Sequence, residues 1–378
     1  MPYILLLITL VCISCSQEKD YIQFAVGTYT QTEGHVNGKG EGIYMIELDD
    51  SLNIVDKKIL TGATNPSYVA MHPNHTALYA VNETYSPQHQ AGLVFSYLKN
   101  SDGIWQAQQM LSSMGAYPCH IIISESMNAV FVTNYGNNIA AYRIKADGKL
   151  DNAHAVFTLV AKDSLNWRQD SPHPHMSYPF QLSNELLVSD LGSNCIYHLE
   201  YSDGDFKEKA VYNFPTLAGP RHLVSTSDEL NVFILNELDL SIHWMERDST
   251  NGIFGLKQIH NLSDSINDFS KITASAIRLH SRLNTLYAAT RALDGSENDK
   301  IHVIGFDIKG GEMLLKQSIN SGGQIPRDFN IDPSGNYLAV ANQDSDNIVI
   351  YPIDNKTGKL GEAVKELIIP SPAHIEFY

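Results

Sequence analysis

Short apolar, β-favouring runs that stop on a polar residue recur along this 378-residue chain. They read FAVGTYT (24–30), ALYAVNE (77–83), VFVTNYG (130–136), LLVSDLG (186–192), VFILNEL (232–238), LYAATRA (286–292) and LAVANQ (338–343). The stops are Thr28, Asn82, Asn134, Asp190, Asn236, Thr290 and Asn342, spaced 46 to 56 residues apart. A repeat of about 50 residues built from short strands predicts a β-propeller, and seven copies predict seven blades.

A second series precedes the first. PSYVAMHP (66–73), PCHIIIS (118–124), PHMSYP (174–179), PRHLVS (220–225), SAIRLHS (275–281), PRDFNIDP (326–333) and PAHIEFY (372–378) each open on a proline or small residue and then alternate. Each blade is thus expected to carry an inner strand from this series, a tight turn, and a second strand from the first series. Third and fourth strands follow, as in GLVFSYL (92–98) with WQAQQML (105–111), or NIVIYPI (347–353) with AVKELII (363–369). Turn signals such as SDG (101–103) and NKTG (355–358) separate them. The chain enters on a second strand and finishes on an inner one. The C-terminal strand is therefore expected to complete the N-terminal blade and leave no open edge. Residues 21–378 read as one all-β domain, a seven-bladed β-propeller, although length alone suggests two or three domains.

Three polar stretches, GHVNGKGEG (34–42), KDSLNWRQDSPHPH (162–175) and LDGSENDK (293–300), read as loops that can shape the entrance to a site. Residues 1–20 stand apart. MPYILLLITLVCISC has signal-peptide length, and Cys15 followed by SQEKD resembles a bacterial lipoprotein signal, with Cys15 as the lipidation candidate. An exported envelope lipoprotein is the expected location, on the periplasmic side or at the outer membrane. Plain secretion and a retained anchor stay open. Cys119 and Cys195 fall in different blades and suggest no disulfide framework. The net charge of −16, with no basic cluster, argues against nucleic acid as a partner. The membrane enters only through the lipid.

In a propeller the inner strands begin, and the second strands end, on one face of the disc. Those positions collect Tyr68, His120, His173, His175, Arg221, His222, Ser275, Arg327 and His374 from the first set. They collect Tyr29, Glu83, Asn134, Asp190, Glu237, Arg291 and Asn342 from the second. Arginine forks beside histidines and carboxylates suit a small anion and supply a base near neutral pH. Any single Asn or Asp here is equally suited to capping a strand. Arginines and a glutamate at three inner strand ends are costly to desolvate and point to function. The opposite rim shows ordinary turn residues such as His72-Pro73-Asn74. No nucleophile elbow or phosphate loop is present. The two histidines of PHPH (172–175) lack further ligands, so neither metal nor cofactor is expected.

AGPRHLV (218–224) with LNEL (235–238), IPRDFNIDPSGNYLAVANQDSDNIVIYPI (325–353) and NPSYVAMHP…LYAVNE (65–83) resemble the seven-bladed lactonase family, over roughly residues 22–378. That family includes propeller-type 6-phosphogluconolactonases and carboxy-cis,cis-muconate cyclases. The resemblance implies a metal-free propeller that opens or forms a lactone, with Arg221, Glu237, Arg291 and His175 as its active residues and His173 the alternative histidine. His120, His173, His222, Arg327 and Glu83 are the expected substrate contacts. The substrate class is a small anionic lactone or sugar acid, and the expected activity is that of a lactone hydrolase of the 6-phosphogluconolactonase kind. A carboxymuconate-type cycloisomerase and a non-catalytic envelope binding propeller are the alternatives. In the hydrolase, Arg221 and Arg291 bind an acid group or the oxyanion, and Glu237 or His175 takes the proton from water.

Overall fold

The structure is a computed structural model, and it describes residues 21–34, 36–160, 166–265 and 271–378. The leader with Cys15, and the stretch 161–165 of the long fourth-blade loop, lie outside the described residues.

Seven four-stranded antiparallel sheets form the ring. In blade 1 the order from the axis outward is Pro372–Phe377, Ile22–Thr28, Ile43–Leu48 and Ile54–Leu60. The chain's last strand therefore sits innermost beside its first, with Phe24 opposite Phe377 and Val26 opposite Ile375. Blades 2 to 7 follow in chain order, their inner strands at Val69–Met71, Pro118–Ser124, Pro174–Pro179, Pro220–Ser225, Ile272–Leu279 and Pro326–Ile331. The expected loop 34–42 departs slightly from its reading: Val36–Asn37 pairs with Thr32–Glu33 as a short ribbon.

Alternating apolar positions face the neighbouring blades, so the core lies in the gaps between sheets. Phe24, Val26 and Ile375 of blade 1 pack with Ala339, Ile348 and Ile350 of blade 7. Trp244 and Phe233 of blade 5 pack with Phe306 of blade 6, and the buried indole N–H of Trp244 donates to Asn231 Oδ1 at 2.8 Å. Burying each large apolar side chain in these gaps contributes about 1.5–3 kcal/mol, so the contacts between blades 1 and 7 help to hold the ring closed. The polar stops are buried and tie down loop backbone. Asn134 Nδ2 donates to Ser113 O at 2.7 Å, Asn342 Nδ2 donates to Ser321 O at 3.1 Å, and Asp190 Oδ1 accepts from the backbone N–H of His173 at 2.8 Å. They are structural pegs, as capping residues at strand ends should be.

One irregularity sets the geometry of the channel. Inner strands slip register just after their opening proline, between Pro118 and His120, Pro174 and Met176, Pro220 and His222, and Pro326 and Asp328. A β-bulge leaves the extra residue unpaired and re-aims its side chain. The extra residues are Cys119, His175, Arg221 and Arg327. They belong to an outer tier that Ser67, Ser275 and Ala373 complete in the other blades. One position on comes a middle tier with Tyr68, His120, His222, Asp328 and His374. Three positions on from the outer tier comes an inner tier with Tyr178, Arg278, Asn330 and Glu376.

Candidate active site

The outer tier meets the residues that follow the polar stops. Glu237, directly after Asn236, is buried at 3% exposure and gathers three guanidiniums. Its Oε2 lies 2.8 Å from Arg221 Nε and 3.3 Å from Arg291 Nη2, and its Oε1 accepts from Arg168 Nη2. A second group adjoins. Glu83 accepts from Tyr29 Oη at 2.8 Å and from Ser67 Oγ, and it faces Arg327 Nη2 at 3.4 Å. The Arg327 guanidinium lies over the Tyr29 ring, 4.8 Å from its centroid. Four guanidiniums thus face two carboxylates. In a protein of net charge −16, this mouth is a local cationic focus, which favours an anionic ligand.

The charge states follow from burial and these pairs. Burial alone would raise the Glu237 carboxyl, but Arg168, Arg291 and Arg221 outweigh it and hold it at about 2. Burial lowers Arg291 most, and repulsion from Arg221, Arg327 and Arg168 adds to it; despite Glu237, the guanidinium sits at about 9. His175 lies well below the ordinary imidazole value, first through burial and then through Arg221 and Arg327. It is therefore neutral at neutral pH, and its Nδ1 is buried without a protein partner. Burial likewise pushes the Cys119 thiol up, which makes it an inert wall rather than a nucleophile.

His175, Arg221, His222, Arg327, Glu83, Ser67 and Cys119 border one gap of about 10 Å³, room for roughly one water. Glu237 and Arg291 join it through Arg221. His173 stands aside: its ring stacks on Tyr135 at 4.3 Å and 8°, and its Nε2 pairs with Asp170 at 3.0 Å. His120 is placed differently from the expectation. It belongs to the middle tier, packs 4.5 Å from the Tyr68 ring, and borders a cavity on the opposite side of the disc. The bulge is the reason, because it turns two consecutive residues toward the axis, one deeper than the other.

Sequence reasoning placed Tyr29 at this mouth but missed Arg168, Ser67 and the lining role of Cys119. The position after each inner-strand proline would have found Ser67 and Cys119. Arg168 lies in an irregular loop and carries no periodic signal. The opposite rim also differs from its reading as plain turns. It opens into a cavity of about 410 Å³ lined by Arg278, Glu376, Tyr178 and Asn330 together with Met71, Ile121 and Ile123.

The family model described as "Lactonase, 7-bladed beta-propeller" matches residues 23–377. The chain belongs to this lactonase family. Among its relatives, a 6-phosphogluconolactonase of Bacillus subtilis is 28% identical over 356 residues, covering 93% of this chain and 97% of the relative. A 6-phosphogluconolactonase of Formosa agariphila is 28% identical over 366 residues, covering 93% and 98%. In fold, the lactonase propeller is similar to the periplasmic gluconolactonase of Pseudomonas aeruginosa, with a TM-score of 0.82, 23% identity, and coverage of 95% of this chain and 99% of that one.

Proposed function

We propose that this lactonase-family propeller hydrolyses a sugar-acid lactone at the arginine-rich mouth. The observation that carries this reading is the buried excess of guanidiniums around an ionised Glu237, with a neutral imidazole beside them. Water attacks the lactone carbonyl, and His175 accepts the proton that the water loses. The carbonyl oxygen becomes an oxyanion, and Arg221 and Arg291 stabilise it as charge develops. The C–O bond of the ring then breaks, the alkoxide takes the proton back from the His175 imidazolium, and the hydroxy acid releases its own proton to leave as a carboxylate. Glu237 is a poor base at about 2; its task is to hold the two arginines, which would otherwise repel one another in a buried site. Arg327 and Glu83 complete the wall that receives the acid or phosphate end of the substrate, with His222 as a further contact.

The leader belongs to the same reading. Cys15 carries lipid and tethers the propeller to the cell envelope, so the substrate is a lactone met outside the cytoplasm. Mass spectrometry of the membrane-extracted protein checks this by the added diacylglyceryl mass on the peptide that begins at Cys15.

The function is tested by incubating residues 21–378 with 6-phosphogluconolactone, glucono-1,5-lactone and simple γ-lactones and following proton release. Opening faster than the spontaneous rate on a sugar lactone is expected. No acceleration on any of them turns the reading toward a binding propeller.

A further inference from the structure

The long loop of blade 4 is built to hold two side chains at the mouth. Gln169, 1% exposed, anchors it by donating through Nε2 to Leu191 O at 2.9 Å. Asn166 closes the turn, accepting from Arg168 N at 2.7 Å and donating to Gln169 Oε1 at 3.0 Å. Between these anchors, Arg168 reaches inward to Glu237 and Trp167 stays outside. The Arg168 guanidinium lies 5.6 Å from the Trp167 ring centroid, so the indole stands one side chain away from the Glu237 cluster. Trp167 is 81% exposed, more than any other large hydrophobic among the described residues. A lone exposed apolar residue is ordinary. An indole fixed on an anchored turn, against the arginine that covers a buried site carboxylate, is not. The Tyr135–His173 stack adds a further half-buried aromatic surface near Arg168, whose charge acts on the Tyr135 phenol.

The existing gap has room for about one water, so a sugar lactone reaches Arg221 only when a group above it yields. Arg168 is the guanidinium placed to do so. Its side chain is 26% exposed, against 3% for Arg221, 8% for Arg291 and 14% for Arg327.

We propose that Trp167 and Arg168 form a subsite for the ring of a sugar lactone, with the indole covering the C–H face and Arg168 leaving Glu237 to bind ring hydroxyls or an acid group. This rests on the lactone-hydrolase reading. Sugar rings present an apolar face edged by hydroxyls, and a rigid amphipathic aromatic beside a multi-donor cation complements both. A lactone without a polyol has nothing to offer the indole.

The test compares wild type with Trp167→Ala and Trp167→Phe on glucono-1,5-lactone and on γ-butyrolactone, and titrates gluconate against intrinsic fluorescence. Trp167→Ala should raise KM for gluconolactone about tenfold, leave kcat within about twofold, leave γ-butyrolactone unchanged, and keep the melting temperature. Trp167→Phe should retain most of the affinity. Gluconate should shift wild-type emission, and Trp167→Phe, which keeps Trp105 and Trp244, should lose that shift. An unchanged gluconolactone KM in Trp167→Ala overturns the subsite, as does an equal KM rise for both lactones. If no lactone is turned over, the gluconate titration still decides the subsite: a Trp167-dependent shift retains it while the hydrolase reading fails.

Discussion

The two mouths of the channel use the same residue types to opposite effect. At the outer tier three guanidiniums converge on one carboxylate, and positive charge is left over. Toward the other end Arg278 Nη2 donates to both oxygens of Asp328, at 2.8 and 3.1 Å, and His374 Nδ1 meets the same carboxylate, which also borders the small gap, at 2.5 Å. Tyr68 covers His374 in a stack at 3.6 Å, and Glu376 stands 3.8 Å from its other ring nitrogen. There the charges balance. The balanced end has the room, about 410 Å³, and the unbalanced end has about 10 Å³. Space and charge excess thus point to different ends, and the proposed hydrolysis follows the charge. A buried charge excess is costly and points to a ligand or transition state that completes it, whereas a charge-balanced cluster carries no such signal.

The largest effect that bears on this contrast is expected from Glu237→Gln. The change keeps shape but removes the countercharge of Arg221 and Arg291, both buried. Breaking a buried pair from one side costs about 3–5 kcal/mol, so the melting temperature should fall clearly. Turnover should fall by roughly 10² or more, because the arginines lose their placement. Thermal unfolding and steady-state kinetics on the one variant check both. An unaltered melting temperature would show that the arginines do not depend on Glu237, and the contrast between the two ends would lose its basis.

His175→Asn should separate catalysis from stability. Its Nδ1 makes no protein hydrogen bond, so the melting temperature should hardly move, while kcat should fall by roughly 10²–10⁴. The sign of the wild-type pH profile follows from its environment. Burial and the nearby arginines keep the folded imidazole well below its ordinary value, so the base is available at and above neutral pH and is lost only in acid. A wild-type rate that declines already as pH falls through the ordinary imidazole range would remove His175 as the base.

The ring, its closure and the charged mouth were legible in the sequence because each rests on a repeat. Period-2 alternation marks the strands, and Thr28, Asn134 and Asp190 mark where three of them end, whereas the strand with Asn82 runs on to Ser86. The unpaired start and finish of the chain reveal how blade 1 is shared. Depth along the axis was not legible by alternation, since the bulge after each proline makes two successive residues face inward. His120 and His374 therefore read as companions of Arg221, although each sits a tier below. Arg278 and Glu376 were hidden for the same reason, three positions past the outer tier in strands whose ends read as turns. Arg168 escaped because a loop contact depends on Gln169 and Asn166 as anchors, which no period announces.

The smallest expected effect lies at the balanced end, and there pH tells pairing from packing. Burial alone would lower His374, but Asp328 outweighs it and raises the imidazole above its ordinary 6.5. Burial would raise Asp328, but Arg278 and His374 outweigh it and lower the carboxyl below its ordinary 3.8. A raised histidine contributes stability that is fully present below 6.5 and is lost as pH rises through its folded value. A lowered aspartate contributes above 3.8 and is lost in acid. The two contributions overlap between those limits. The melting-temperature gap between wild type and His374→Gln should therefore be widest near about pH 5–6 and narrow toward about pH 9. Tyr68, His120, Arg278 and Glu376 remain in place in both proteins, so the narrowing reports the imidazolium. Gluconolactone kinetics should change by less than about twofold, because a charge-balanced cluster supplies no net charge to the reaction. A gap that stays constant across this range would mean that His374 is held by packing alone. A large loss of turnover would mean that the two ends of the channel are energetically joined, and the contrast between them would have to be redrawn as one continuous site.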